Sequence, residues 1–168
     1  MEKYAKLTSF ISLILYMLIN FYFISLTIEI NGFSEQLKDL DELLDNISHE
    51  KIVLIISIVT TVITMISLLV QYIIGKFLLI IFVSNVKSHL FYALIPKILI
   101  MIINIVFIGV WQIHNSWLYM FTALMGSIVI LLFFQYKKEN WKASILFAAA
   151  FIIDALISLG KEIFSLIL

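Results

Sequence analysis

The sequence predicts an all-α integral membrane protein, a bundle of five transmembrane helices with an amphipathic helix outside the membrane. The 168 residues are 63% hydrophobic and 13% charged, whereas a soluble globular domain has about 45–50% apolar and about 25% charged residues. The apolar residues also form five runs of about 20 residues, the length that crosses a hydrocarbon core. Such a bundle uses nearly the whole chain, so we predict one membrane domain, residues 1–168.

The five predicted spans follow one another along the chain. They are residues 7–28, 52–74, 90–111, 117–136 and 143–160. The first is too long for a signal-peptide core and lacks a small-residue cleavage site, so we interpret it as a retained span. Residues 75–89 contain an apolar stretch too short to cross a membrane. They either continue the second helix or lie along the membrane surface, and the weak breaker Gly75 favours continuation.

The link 29–51 has the pattern of an amphipathic helix, with Ser34 as its N-cap. Apolar residues recur three or four positions apart and so share one face: Phe33, Leu37, Leu40, Leu44 and Ile47. Two interpretations stay open. The helix rests on the bundle or on lipid headgroups, or its acids form a docking surface for a cationic partner such as a peptide. The acids of that docking surface are Glu35, Asp39, Asp41, Glu42 and Asp45.

The charges divide between the two sides of the membrane. The N-terminal segment, residues 75–89 and the turn 137–142 carry most of the lysines, whereas the link 29–51 carries most of the acids. The positive-inside rule therefore places the N-terminus in the cytoplasm. Five spans then place the C-terminus and the link 29–51 outside, in a multi-pass protein of the cell membrane.

Motifs of enzymes and metal sites are missing from the sequence. There is no cysteine, and no HExxH, P-loop or GxGxxG motif. The predicted topology separates His89 from His49 and His114, so the three cannot share a metal. An intramembrane aspartyl protease needs two deep aspartates, and only Asp154 is deep. We predict no catalytic residues, no metal site, no cofactor and no nucleic-acid partner.

Every predicted span carries a hydrogen-bonding side chain at mid-membrane depth. Asn20 and Asn104 lie about 20 Å from the cytoplasmic end of their spans, and Asp154 about 16 Å. The layer around Asp154 comprises Lys97, Asn20, Asn104, Thr61 and Thr64. Polar groups are costly in lipid, so the layer should face the bundle interior. It provides interhelical hydrogen bonds, a pathway for a small solute or protons, or a contact with a partner helix.

Asp154 poses the sharpest question, because a charged aspartate at mid-bilayer costs at least about 2.5–3.5 kcal/mol. It is either paired with Lys97, the basic residue inside a span, or protonated and hydrogen-bonded. The second state is favoured because the two depths differ by about 6 Å and a lysine can reach towards water. Pro96 has no amide hydrogen and would kink the third helix, which makes it a candidate hinge beside the polar layer.

Two stretches resemble the Yip (Ypt-interacting protein) domain family of five-span membrane proteins. Residues 86–107 contain the basic-Ser segment followed by an aromatic residue, a small residue and a proline: Lys87, Ser88, Tyr92, Ala93 and Pro96. Residues 117–156 add an aromatic-rich start, a mid-span glycine and a short basic turn before a final span. The paired glycines before the basic segment are missing, and so are the motifs of the eukaryotic trafficking members, so small-GTPase binding is not implied.

The resemblance implies a bacterial-type accessory protein, since bacterial members are linked to transporters or to resistance against antimicrobial peptides. We therefore predict a non-enzymatic protein of the bilayer that binds another membrane protein or a cationic peptide. The alternative is a small transporter, or the substrate-binding subunit of one, that uses the polar layer around Asp154. An accessory protein should depend on its docking surface, whereas a transporter should depend on the layer.

Overall fold

A computed structural model of the chain describes residues 4–30, 48–83, 86–113 and 115–167. Its elements in this part are helices, without a strand: α1 Ala5–Ile30, α2 His49–Phe82, α3 Phe91–Gly109, α4 Ser116–Lys138 and α5 Trp141–Ile167. Each of the five is long and apolar enough to cross a membrane. The prediction of an all-helical chain with five such segments is confirmed. The amphipathic helix predicted in the link 29–51 and its acidic docking surface fall on 31–47, outside the described residues.

Helix α2 is longer than the predicted second span. It continues through Gly75 to Phe82, so the first half of 75–89 prolongs the helix and residues 86–89 are non-helical. Its 34 residues correspond to about 51 Å, well beyond the roughly 30 Å of a hydrocarbon core. The expected continuation of the second helix past the weak breaker Gly75 is therefore confirmed as far as Phe82.

Asparagines set the start of the last two helices. The side chain of Asn115 accepts a hydrogen bond from the Trp117 amide at 3.0 Å, and that of Asn140 accepts one from the Ala143 amide at 3.0 Å. An N-cap of this kind satisfies amides that have no partner within the helix. The turn between α4 and α5 is therefore tight, with Glu139 at a positive φ of 52° as the C-cap of α4.

The main contacts join the helices into a closed ring. They run from α1 to α2, α2 to α5, α5 to α4, α4 to α3 and α3 back to α1. A core at the basic end contains Phe134, Phe147 and Phe151, each at most 1% exposed. The rings of Phe134 and Phe147 stack with their centroids 4.4 Å apart. Consecutive helices α2 and α3 are thus separated in the ring, and α2 packs along α5 instead.

Small residues let α2 and α5 approach closely. A Cβ atom at Gly75 would lie 2.5 Å from the carbonyl oxygen of Phe147, a distance that the two backbones could not accept unchanged. Ala143 and Ala148, one turn before and just after Phe147, are fully buried. Close backbone approach at small residues is a principal source of helix association where no hydrophobic drive exists between helices. The α2–α5 seam carries the functional candidates described next.

Candidate functional site

The polar side chains of α1 and α2 form a hydrogen-bonded seam. Asn20 donates from Nδ2 to the hydroxyl of Thr64, and Thr64 donates to the Thr61 carbonyl at 2.9 Å. Thr61 in turn donates to the Ser57 carbonyl at 2.7 Å, and Ser25 donates to the Ser57 hydroxyl at 3.1 Å. Three residues of the predicted layer, Asn20, Thr61 and Thr64, are therefore brought together, and they join α1 to α2.

Thr64 also lines a pocket that four helices share. Its volume is about 160 Å³, and its walls are Tyr16 of α1, Lys97 of α3, Asp154 of α5, and four residues of α2: Thr64, Ser67, Leu68 and Gln71. Since a water molecule takes about 30 Å³ of liquid, the pocket has room for a small polar group or for about five waters. We name this space, with these seven residues, the Lys97–Asp154 pocket.

The two charges of the pocket do not meet. The carboxylate of Asp154 accepts a hydrogen bond from Nε2 of Gln71 at 2.8 Å, and the same nitrogen lies 3.2 Å from the Ser67 hydroxyl. The Lys97 ammonium interacts electrostatically with Asp154 without a direct ion pair. It lies 5.8 Å from the ring centroid of Phe151, within range of a cation–π attraction. Lys97 of α3 and Asp154 of α5 therefore line the same pocket without a direct ion pair.

Gln71 orients Asp154 through its amide nitrogen, while its amide oxygen has no hydrogen-bond partner among the described residues. Its side chain is 8% exposed, and its Oε1 is buried without a hydrogen-bond partner among the described residues. A buried amide oxygen without a partner costs about 1–3 kcal/mol. The pocket therefore contains an acceptor that a donor group entering the space would satisfy.

Asp154 lies at the edge of the bundle as well as on the pocket wall. It is exposed, and it lines a second space, a groove of about 370 Å³ on the outer side of α2 and α5. We name this space the α2–α5 groove; it is lined by Ser67, Val70, Gln71, Ile74, Ala150, Ile153, Asp154 and Ile157. The prediction that Asp154 faces the interior is therefore wrong for part of its surface. Asp154 lies at the border of the packed face of α5. The buried residues Phe151 and Ala155 are on one side of it, and the exposed residues Ile153 and Ile157 are on the other.

Two predicted site residues lie outside the pocket. Asn104 is buried, at 8% exposure, two turns along α3 from Lys97, and its Oδ1 has no hydrogen-bond partner among the described residues. It was expected near Asp154, but it is not among the residues that line the pocket. Pro96 is buried beside Lys97, and α3 continues through it as one helix from Phe91 to Gly109.

Sequence reasoning missed Gln71, Ser67 and Tyr16. Gln71 is the direct partner of Asp154, and Tyr16 lines the pocket together with Thr64. A signal was present, because Thr64, Ser67 and Gln71 stand three and four positions apart and so share one face of a helix. The three residues form a polar stripe on one side of a mostly apolar span. Among the described residues, no group of three or more His, Asp or Glu side chains is arranged to hold a metal ion.

Comparison of the chain with protein-family models, with curated proteins and with solved structures finds no match. The resemblance to Yip-domain proteins therefore depends on the sequence motifs alone.

Proposed function

We propose that the protein is a non-enzymatic integral membrane protein that binds a small zwitterionic solute in the Lys97–Asp154 pocket, as a small transporter or as the solute-binding subunit of one. The observation that carries this proposal is a pair of opposite charges on the walls of one pocket without a direct ion pair. If they served only to stabilise the bundle, they would be expected to contact each other, because an uncompensated charge at this depth is costly.

A zwitterion complements the pocket at both ends. Its anionic group would lie against the Lys97 ammonium, and its ammonium group against the Asp154 carboxylate. The Gln71 amide oxygen would accept one of its hydrogens. The volume of about 160 Å³ limits the solute to a size near that of a small amino acid. Intramembrane ionisable residues that face a cavity commonly mark substrate or ion pathways.

The α2–α5 groove gives this pocket a side opening in the proposal. Ser67, Gln71 and Asp154 line both spaces, so a solute or a displaced side chain could pass between them by a rearrangement at Asp154. The proposed orientation has the N-terminus in the cytoplasm, the C-terminus outside and the protein in the cell membrane. It is supported by the lysines at one end of the helices.

The test is a thermal-unfolding screen of the full chain in mild detergent. Small amino acids should raise the unfolding temperature of the wild type, with amines, carboxylates and neutral sugars as comparison solutes. The shift should be lost in Lys97→Met and in Asp154→Asn. Thr122→Val is the matched control, because Thr122 is buried in α4 and donates to the Tyr119 carbonyl, away from the pocket.

Uptake by proteoliposomes would then separate a transporter from a binding subunit. A radiolabelled solute identified by the screen should accumulate above the level of empty liposomes, and Asp154→Asn should abolish the difference. Two results of the screen would contradict a zwitterion site in this pocket. In the first, zwitterions stabilise neither the wild type nor the Thr122→Val control. In the second, they stabilise the wild type and all three variants equally.

The accessory protein that the Yip resemblance implies is the second candidate, and the α2–α5 groove favours it. Asp154 is exposed there among apolar side chains such as Ile153 and Ile157. A transmembrane helix of a partner with a hydrogen-bond donor would cover the carboxylate and the apolar walls together. A cationic peptide at the acidic link 29–51 is the other partner that this candidate allows.

Site-specific photo-crosslinking tests the accessory candidate. A photoreactive residue at Ile153 should give an adduct in native membranes that Asp154→Asn removes, whereas one at Leu132, exposed on α4, should give none. An adduct that survives Asp154→Asn, or equal adducts from both positions, would contradict recognition through Asp154.

A further inference from the structure

A further cavity lies at the basic end of the bundle, away from the Lys97–Asp154 pocket. Its volume is about 440 Å³, and its lining comes from three separate segments. The start of α1 contributes Tyr4, Ala5 and Thr8, the start of α3 contributes His89, Phe91 and Tyr92, and the end of α4 contributes Lys137 and Lys138. We name this space the basic-end cavity.

Aromatic rings hold the two lysines at the basic-end cavity. The Lys138 ammonium lies 5.4 Å from the ring centroid of Tyr92. The Lys137 ammonium lies 5.1 Å from that of Tyr136 and 5.9 Å from that of Phe133. Cation–π contacts of this kind restrict where an ammonium can lie. Lys137 and Lys138 are consecutive residues of α4 and both line the cavity, so this wall carries two cations that attract an anion.

The remaining walls suit an anion that carries an apolar tail. Among the described residues, none of those that line the cavity is acidic; Glu139 follows Lys138 in sequence without lining it. Hydroxyl groups come from Tyr4 and Thr8, and the first turn of α3 adds the positive end of a helix dipole. Apolar area makes up most of the wall, with Phe91 stacked on His89 at a centroid distance of 5.9 Å.

We propose that the basic-end cavity binds the phosphate group of an anionic phospholipid, with Lys137 and Lys138 as the residues that recognise the charge. The cavity opens at the ends of helices that are long enough to cross a membrane, where headgroups would lie. Basic pockets between transmembrane helices bind anionic headgroups in this way. A free phosphate ester has the same recognised group but no tail to cover the aromatic walls.

Fluorescence anisotropy of a labelled phosphatidylglycerol tests this proposal with the full chain in mild detergent. Unlabelled phosphatidylglycerol should compete, whereas phosphatidylcholine should compete at least tenfold less well. Lys137→Gln and Lys138→Gln should each weaken binding about fivefold, the effect of one lysine near an anionic surface. Lys76→Gln is the control, because Lys76 is an exposed lysine of α2 that does not line the cavity, and its affinity should not change.

The competitors distinguish the two sources of phosphate. Glycerol phosphate should fail to displace the labelled lipid at concentrations where phosphatidylglycerol does so. Displacement by glycerol phosphate at equal concentration would overturn the lipid and assign a free phosphate ester. Equal competition by phosphatidylcholine, or an equal loss of affinity in Lys76→Gln and Lys138→Gln, would overturn a phosphate site in this cavity. Unfolding temperatures measured on each variant show whether a loss of binding reflects a loss of folding.

Discussion

At the residue scale, the hydrogen bond from Gln71 determines which helix Asp154 is joined to. A direct salt bridge with Lys97 would tie α3 to α5 across the pocket, whereas the hydrogen bond from Gln71 ties α2 to α5 and leaves Lys97 free to face the pocket. The expected hydrogen bond at Asp154, in place of an ion pair with Lys97, agrees with this geometry. The protonation that was expected with it stays a prediction, and the zwitterion proposal requires the ionised carboxylate. The side chain that donates the hydrogen bond had not been identified from the sequence.

A double-mutant cycle on Asp154→Asn and Lys97→Met measures how strongly the two charges depend on each other. We expect a coupling energy below about 1 kcal/mol in thermal unfolding in detergent, because the charges make no direct ion pair and coupling is large only between groups in contact. The cycle of Asp154→Asn with Gln71→Leu serves as the comparison and should show the larger coupling. A Lys97 coupling well above about 1 kcal/mol would mean that the two residues form an ion pair.

Two asparagines of the polar layer provide a matched test of interhelical hydrogen bonding. Asn20 donates to Thr64 across the α1–α2 contact, whereas the Oδ1 of Asn104 is buried without a partner among the described residues. We expect Asn20→Leu to lower the free energy of unfolding by about 0.6–1.7 kcal/mol, the range of such bonds in membranes. Asn104→Leu should be neutral or stabilising, since it removes an unsatisfied group.

Unfolding of the two asparagine variants in detergent, followed by circular dichroism, checks this prediction. Equal losses of stability would show that Asn104 also makes a stabilising contact. A neutral Asn20→Leu would show that the α1–α2 seam does not depend on its hydrogen bond to Thr64.

At the scale of elements, the α2–α5 seam depends on Gly75. We expect Gly75→Ala to destabilise the bundle by about 1–3 kcal/mol, because the added Cβ would lie 2.5 Å from the Phe147 carbonyl oxygen and would push the two helices apart. Gly160→Ala is the control, since a Cβ there meets nothing within 4 Å and alanine favours helix by up to about 1 kcal/mol.

Denaturation by sodium dodecyl sulfate, titrated into the purified protein, measures both glycine variants. Gly75→Ala should unfold at a lower denaturant fraction than the wild type, and Gly160→Ala at the same or a higher one. If Gly75→Ala is as stable as the wild type, α2 and α5 do not approach as closely as the structure has them.

At the scale of the whole molecule, the distribution of lysines predicts which end of the bundle faces the cytoplasm. The chain has no cysteine, so single cysteines can be introduced at Ser34 and at Glu139 without background. A membrane-impermeant maleimide added to intact cells should label Ser34→Cys and not Glu139→Cys. The reverse pattern would invert the orientation. It would also place the basic-end cavity on the outer leaflet.

The sequence by itself determined the five helices, each long and apolar enough to cross a membrane, that the described part of the chain contains. Each of the five helices is apolar along its own length, and a segment of this kind has to satisfy its backbone internally, so composition alone predicts an all-helical chain. The sequence also identified most of the polar side chains of the α1–α2 seam and the Lys97–Asp154 pocket, among them Asn20, Thr64, Lys97 and Asp154. The end of α2 at Phe82 was harder to predict, since the apolar stretch after Lys76 is too short to cross a membrane and could equally have lain along its surface.

The tertiary structure alone decided which polar groups meet. The bond from Gln71 to Asp154 joins residues 83 positions apart, and that from Asn20 to Thr64 joins residues 44 apart. Such pairs depend on the order of helices in the ring and on the rotation of each helix about its axis. The rotation of a helix is set by close contacts such as that of Gly75 with Phe147. Hydropathy does not reveal this rotation, because both faces of a lipid-facing helix can be apolar. For this reason Asp154 has one side on the pocket and one on the groove, and Asn104 is outside both.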